Sequence, residues 1–99
     1  MNMQAMLKQA QNLQKKMLSE QEEINNTTFT AQNGLVRVLM KGNKKIEKVE
    51  ITKSDDFSSD DLDMLEDMIM VAVNDAIGQI DKMTEEKMGK YANAVPGLF

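Results

Sequence analysis

Apolar residues near the start of the chain recur at alternating spacings of three and four, which predicts a helix with a narrow, coiled-coil-like seam. The seam consists of Met3, Met6, Ala10, Leu13, Met17 and Ile24. Only Glu20 interrupts it, and residues 1–33 contain neither Pro nor Gly. About 22 helical residues extend some 33 Å, whereas a compact domain of this size has a radius of gyration near 13 Å. Part of this helix should therefore project unless another chain covers it.

A short strand is predicted next. Asn25-Asn26 closes the helix, and residues 27–32 (TTFTAQ) are rich in β-branched residues, with Phe29 and Ala31 on one face. Asn33-Gly34 is a typical hairpin turn. We expect this strand to pair with the one that follows.

Residues 34–51 (GLVRVLMKGNKKIEKVEI) alternate twice between apolar and polar side chains, which predicts a hairpin. The loop is either Gly42-Asn43 or residues 42–45, because both choices put Val36 and Val38 on the same face as Val49 and Ile51. A three-residue loop would break that match.

The longer loop also sets Arg37 opposite Glu50, a cross-strand pair of opposite charge. We expect the valines and Ile51 to hold the sheet to the helices. The other face is half apolar, and its alternating positions are Leu35, Arg37, Leu39, Ile46, Lys48 and Glu50.

A second long helix is predicted from residue 62 to about residue 88. Its stripe is Leu62, Leu65, Ile69, Ala72, Ala76, Ile80 and Met83. Ser58 or Ser59 should cap it, with Asp60 and Asp61 placed favourably against the helix dipole. Residues 68–73 (MIMVAV) are apolar on all sides, and one thin sheet cannot surround such a segment. This is a second reason to expect another copy of the chain.

The predicted fold is therefore a single α+β domain, residues 1–99, in the order α-β-β-β-α: a long N-terminal helix, a three-stranded antiparallel sheet and a long C-terminal helix. The tail from about residue 90 (KYANAVPGLF) contains Pro and Gly and should be a flexible extension.

The charges are unevenly distributed, although the net charge is only −4. Residues 1–18 carry three lysines and no acid, and residues 34–54 carry six basic residues against two acids. Residues 55–99 hold eleven acids against three lysines. Charge asymmetry of this kind, with two basic zones beside one acidic zone, bears on which partners the protein attracts and not on how it folds.

The composition argues against an enzyme. The 99 residues include no His and no Cys, which removes imidazole bases, thiolate chemistry and the usual zinc ligands. The acids of residues 55–61 lack the spacing of a calcium loop, and the basic turn near Gly42 lacks a phosphate-loop motif. We therefore expect no cofactor and no metal. Without an apolar signal core or a membrane-spanning run, we expect the protein in the cytoplasm.

The ordered set of motifs resembles the YbaB/EbfC family of nucleoid-associated DNA-binding proteins. The matching pieces are MLKQAQNLQKKM in the first helix, GLVRV, Gly42 and VEI in the sheet, MLED and NDA in the second helix, and the terminal PGLF. The resemblance covers the chain from about residue 3 to residue 99.

This resemblance implies a non-enzymatic homodimer with projecting helices that binds double-stranded DNA in the nucleoid with little sequence preference. It places DNA contacts on basic residues of the helices, here Lys8, Lys15, Lys16 and Lys87. The charge distribution along the sequence, which we call the charge map, adds five basic residues of the hairpin as candidate DNA contacts: Arg37, Lys41, Lys44, Lys45 and Lys48.

The same resemblance places the dimer interface on the sheet and the second helix. The candidates are Leu35, Leu39, Met68, Ile69, Ala72, Val73 and Ala76. The alternative hypothesis is a dimeric interaction module that serves DNA recombination or replication proteins, with weak or no DNA binding of its own. No membrane partner is expected.

Overall fold

The computed structural model describes residues 2–52 and 55–94, and its elements follow the predicted order. Helix α1 is Met3–Asn26 and helix α2 is Leu62–Ala94. Between them lie strands β1 (Thr28–Asn33), β2 (Val36–Lys41) and β3 (Ile46–Ile51), which form an antiparallel sheet in the order β1-β2-β3. A single 3₁₀ turn, Ser59–Asp61, precedes α2. The predicted α+β fold is confirmed.

Polar side chains set the ends of α1. Asn2 caps the first turn, since its Oδ1 accepts the Gln4 N–H at 2.9 Å. At the other end Thr27 donates twice into the last turn, from its N–H to the Ile24 carbonyl at 3.0 Å and from its hydroxyl to the Glu23 carbonyl at 2.6 Å. Thr27 is itself extended, so the chain passes from α1 into β1 within one residue.

The turn between β1 and β2 lies one residue later than predicted. Asn33 pairs with Val36, which leaves Gly34-Leu35 as the two-residue loop. Gly34 has φ of +55°, a conformation that glycine adopts without a steric penalty. The Asn-Gly signal located the turn correctly, but Asn33 is the last strand residue rather than a loop residue.

Residues 42–45 lie between β2 and β3, which is the longer of the two predicted loops, and hydrogen bonds close a tighter three-residue turn, residues 42–44, within it. Lys44 N–H donates to the Lys41 carbonyl at 2.7 Å, and Lys41 N–H donates to the Lys45 carbonyl at 2.9 Å. Lys44 adopts φ of 68° at the position where such loops need a left-handed residue.

A bulge in β3 restores the expected register. Met40 pairs with Ile46 but Leu39 pairs with Lys48, so Glu47 is an extra residue. Beyond the bulge Arg37 lies opposite Glu50, as predicted. The bulge also sets Ile46 opposite the buried Met40, not on the outer face where the alternation placed it.

Ser58, one of the two predicted caps, is the N-cap residue of the 3₁₀ turn that leads into α2. Ser58 N–H donates to Asp61 Oδ2 at 2.9 Å, and Asp61 N–H donates to the Ser58 carbonyl at 3.0 Å. The helix runs six residues beyond the predicted end near residue 88. Residues 90–94, expected in a flexible extension, are helical, and Tyr91 is buried. Residues 95–99 lie outside the described residues.

The core lies between α2 and the first two strands. Its buried members are Phe29, Ala31, Val36, Val38, Met40, Ala72, Ala76 and Ile80. Strand β3 lies beyond the reach of α2, so Val49 and Ile51 remain 42% and 50% exposed. The expectation that these two residues join the sheet to the helices was therefore wrong within one chain, while Val36 and Val38 do so.

A second, smaller cluster joins the two helices. Ile24, Met88 and Tyr91 are buried together, with Leu13 and Met17 packed against them. The rest of α1 extends beyond this cluster, and the molecule measures 71 × 18 × 14 Å with a radius of gyration of 19.7 Å. A compact chain of this length would have a value near 13 Å. The predicted projection of α1 is confirmed.

Candidate nucleic-acid interface

The N-terminal part of α1 is a basic arm, whose residues 3–12 project and whose Leu13 and Met17 pack on the cluster of Met88 and Tyr91. We use "arm" for residues 3–19, which hold Lys8, Lys15 and Lys16 and no acidic residue. Residues 2–12 are exposed without exception. None of the three lysines forms a salt bridge among the described residues, although Lys16 interacts electrostatically with Glu20, one turn further along α1.

The geometry of the helix places two of these lysines together. Lys8 and Lys15 are seven residues apart, close to two full turns, and so lie on one face about 10 Å from each other. That face is opposite the seam of Met17 and Ile24, which packs on α2. The pair therefore faces solvent, where a polyanion has access.

The basic turn of the hairpin lies beside the last turn of α1, at the end of the helix from which the arm extends. We call this end the root of the arm. Gly42 is buried against the last turn of α1, and its N–H donates to the Thr27 carbonyl at 3.0 Å. Lys45 is exposed and Lys41 half-buried, whereas Lys44 is bound to Asp81 of α2 at 3.1 Å. The fold thus brings Lys41 and Lys45 close to the helix that carries the arm lysines.

One basic residue on the outer face of the sheet, Lys48, is paired with an acid. Lys48 forms a salt bridge with Glu50 at 3.4 Å, so in the described chain Glu50 pairs along β3 rather than across the strands with Arg37. The Glu47 carboxylate accepts a hydrogen bond from the Thr28 hydroxyl at 2.8 Å. This face has less to offer an anion than the charge map suggested.

A polar contact that the sequence did not predict joins α1 to α2. Tyr91 donates its hydroxyl to Glu20 Oε2 at 2.9 Å, and Lys90 Nζ lies 3.3 Å from Glu20 Oε1 and 5.2 Å from the centre of the Tyr91 ring. These bonds, the Tyr91 hydroxyl foremost, lower the pKa of Glu20, while burial raises the pKa of Tyr91. The available signal was Glu20 itself, the one polar residue in the apolar seam.

Lys87 lies beside this contact on the exposed side of α2. It adjoins Met88, which packs on Ile24, so Lys87 lies at the root of the arm rather than along it. The structure therefore divides the predicted DNA-contacting residues into three groups: arm, root and sheet.

The start of α2, with the acids of residues 55–67, lies at the opposite end of the molecule from the arm, and we call it the acidic end. The 33 residues of α2 span about 50 Å, from the acids around residues 55–67 to Tyr91 at the junction with α1. The arm continues from that junction in the same direction. Charge is thus separated along the 71 Å axis, and an acidic chain can still present one basic end.

An apolar depression lies at the acidic end. It encloses about 380 Å³ and is lined by Gly34, Leu35, Asp56, Phe57, Asp61, Met64 and Met68. Within residues 2–52 and 55–94, no group of three or more acids could hold a metal ion. No described helix combines the length and the apolar character that crossing a membrane requires.

The predicted dimer residues differ in accessibility. Ala72 and Ala76 are fully covered by the chain's own core, and Met68, Ile69 and Val73 are half-buried against it. Leu35 and Leu39 are also half-buried. Among the described residues outside the arm, the large apolar side chains left uncovered are instead Ile46, Val49, Ile51, Leu62, Met64, Met70 and Val71.

Comparison with known proteins identifies relatives along the whole chain. The model of the YbaB/EbfC DNA-binding family matches residues 1–95. A nucleoid-associated protein of Ligilactobacillus salivarius is 47% identical over 100 aligned residues, covering 99% of this chain and 95% of that protein. Nucleoid-associated protein LL0120 of Lactococcus lactis is 47% identical over 98 aligned residues, covering 97% of this chain and 98% of that protein.

A solved structure has the same fold. The crystal structure of uncharacterized protein HP0035 from Helicobacter pylori aligns with a TM-score of 0.75, covering 92% of this chain and 97% of that one. Its sequence identity of 17% means that this likeness supports the architecture alone.

Proposed function

The chain belongs to the YbaB/EbfC DNA-binding family, and from this premise we propose that it is a nucleoid-associated protein that binds double-stranded DNA without catalysing a reaction. The observation that carries the proposal is the arm, a projecting helix whose lysines have no acid nearby until Glu20. We place the protein in the cytoplasm, on the nucleoid, where it would organise DNA or modulate gene expression.

Binding would depend on the phosphate backbone. Lysines act as point charges, and neutralising phosphates releases counterions whatever the base sequence. Arginine is the residue that most often reads guanine, and the only arginine of the chain, Arg37, lies on the sheet. We therefore propose little sequence preference, with Lys8, Lys15 and Lys16 as the main contacts and Lys41, Lys45 and Lys87 as contacts at the root.

A homodimer would supply enough contacts. Val49 and Ile51 lie on the sheet face that α2 covers elsewhere, and Met70 and Val71 project from α2 without cover. A second copy that buried these side chains would also complete the burial of residues 68–73. Two arms would then present six lysines to one duplex.

Salt dependence tests this proposal. If six arm lysines each neutralise a phosphate, the slope of log K against log salt should be about −5, and affinity should fall roughly 1,000-fold between about 50 and 200 mM salt. Fluorescence anisotropy with a labelled duplex measures both quantities, and light scattering gives the molar mass. A dimer that shows no binding at 50 mM salt would refute the proposal.

A matched pair of variants locates the contacts. The triple variant Lys8→Gln, Lys15→Gln, Lys16→Gln removes the arm charges, while Arg37→Gln, Lys48→Gln, Lys82→Gln removes the same charge from exposed positions elsewhere. The arm variant should flatten the salt slope and the control should leave most of it. Equal losses would indicate a general effect of net charge and rule out the arm as the site.

The alternative, a module that binds DNA recombination or replication proteins, is favoured by the depression at the acidic end. Phe57, Met64 and Met68 offer an apolar floor, and Asp56 and Asp61 line the same depression. A protein contact of that kind should change little with salt. Salt-insensitive binding of a protein partner, with no DNA binding, would favour this function.

A further inference from the structure

We infer that Glu20 is a positioning residue for DNA binding: held by Tyr91 and Lys90, it fixes the direction in which the arm projects. The inference rests on the proposed function for its consequence on DNA, but its structural part is independent of that function. We call the three residues the latch.

The latch spans two helices that are far apart in sequence. Glu20 belongs to the last turns of α1, whereas Lys90 and Tyr91 come from the last turn and a half of α2. Both oxygens of the carboxylate are engaged, one by the Tyr91 hydroxyl at 2.9 Å and the other by Lys90 at 3.3 Å. A carboxylate held at both oxygens resists rotation of the helix that carries it.

The partner of Glu20 is itself rigidly held. Tyr91 is only 2% exposed, because its ring packs with Ile24 and Met88, and Lys90 lies over the ring at 5.2 Å. The Glu20 side chain is 22% exposed. The contact is therefore partly shielded from water, and its geometry is set by packing on α2.

The latch lies near the anchored end of α1, so a small rotation there displaces the distant tip of the arm. Gly42 and Thr27 anchor the end of α1 near residue 24, and Glu20 lies about 6 Å further along the helix. Beyond it the arm extends for 17 residues, about 25 Å, and Leu13 and Met17 add apolar contacts with the same part of α2. A rotation of about 10° at the latch would move the tip of the arm by about 4 Å, which is about the longest N···O distance of an ion pair.

The direction in which DNA affinity changes on replacing Glu20 distinguishes a positioning role from a purely electrostatic one. If Glu20 matters only as a negative charge near basic residues, then Glu20→Ala should tighten DNA binding. If it positions the arm, the same change should weaken binding, by about fivefold, the scale of one lost hydrogen bond. Glu22→Ala is the matched control, because Glu22 is exposed on the same helix and its replacement changes the charge equally.

Tyr91→Phe gives a second variant without a change of net charge. It removes the hydroxyl that bonds Glu20 and keeps the ring that packs on Ile24, so the fold should survive. We expect it to weaken DNA binding in the same direction as Glu20→Ala, while Glu22→Ala leaves binding unchanged or tighter.

The experiment measures DNA affinity of the full-length protein by anisotropy and the direction of α1 relative to α2 by residual dipolar couplings of backbone amides. The expected result is weaker binding together with altered couplings for residues 3–19 in Glu20→Ala and Tyr91→Phe. Tighter binding of Glu20→Ala, or unchanged arm couplings in either latch variant, would overturn the inference. The couplings do not require DNA, so they still decide the point if the wild-type protein proves not to bind DNA.

Discussion

Gly42 is a position where adding a single methyl group should cause a large loss of stability. A Cβ atom built on Gly42 would overlap the carbonyl oxygen and carbon of Ile24, which are backbone atoms of the last turn of α1. Gly42 also donates its N–H to the Thr27 carbonyl, so the turn cannot move away without losing that bond. Gly42→Ala therefore forces α1 and the hairpin apart.

The expected cost follows from what has to move. Inserting a methyl group into a packed site typically costs about 1–3 kcal/mol when side chains can give way. Here a helix end must shift by more than about 1 Å, because carbon atoms pack no closer than about 3.5 Å. We expect a loss near 3 kcal/mol, which for a domain of this size lowers Tm by about 12–24 °C.

Thermal and urea denaturation followed by circular dichroism, at one fixed protomer concentration, measures this loss. Gly78→Ala is the matched control: it lies within α2, and apart from its chain neighbours and the backbone of its own helix no described atom lies within 4 Å of the added methyl group. That variant should gain about 0.5–1 kcal/mol from helix propensity. If Gly42→Ala were as stable as the wild type, the close packing of the hairpin turn on α1 would be refuted.

Three further predictions concern the core, the dimer and the latch. Ile80→Ala, at a side chain only 1% exposed, should lower the free energy of unfolding by about 3 kcal/mol in urea denaturation, whereas Leu7→Ala on the arm, 62% exposed, should change it by less than about 0.5. Val49→Lys on the uncovered part of the sheet should give a folded monomer by light scattering, and a persisting dimer would contradict the proposed interface. The pKa of Glu20 lies below its ordinary value of 4.5, so its contribution to stability is present above pH 4.5 and lost as pH falls through the folded value. A plot of stability against pH should therefore fall less steeply in acid for Glu20→Ala than for the wild type, and parallel curves would contradict this.

The helices were predictable because their signal is local. The spacing of Met17 and Ile24 indicates which face of α1 is apolar, and Ser58 with Asp61 marks the start of α2. The end of α2 was missed, since residues 90–94 contain no apolar stripe long enough to read. Tyr91 is helical and buried because it packs on Ile24, a residue 67 positions earlier.

The candidate site was predictable in its composition and not in its arrangement. The three arm lysines could be recognised from sequence as a basic stretch. Lys44 and Lys48 resembled them in sequence, but the fold gives them Asp81 and Glu50 as partners. Which basic residues remain free for an anion depends on acids that folding brings near.

The sequence by itself determined the order of elements, the faces of the helices and the separation of charge along the chain, because each depends on residues within a few positions of one another. Only the tertiary structure decided which apolar residues are covered. α2 reaches β1 and β2 but not β3, so Val38 is buried while Val49, its cross-strand neighbour, is 42% exposed. It also decided that Glu20, an interruption in an apolar seam, becomes the contact that joins α1 to Tyr91 and Lys90, since that contact requires two helices to meet from opposite ends of the chain.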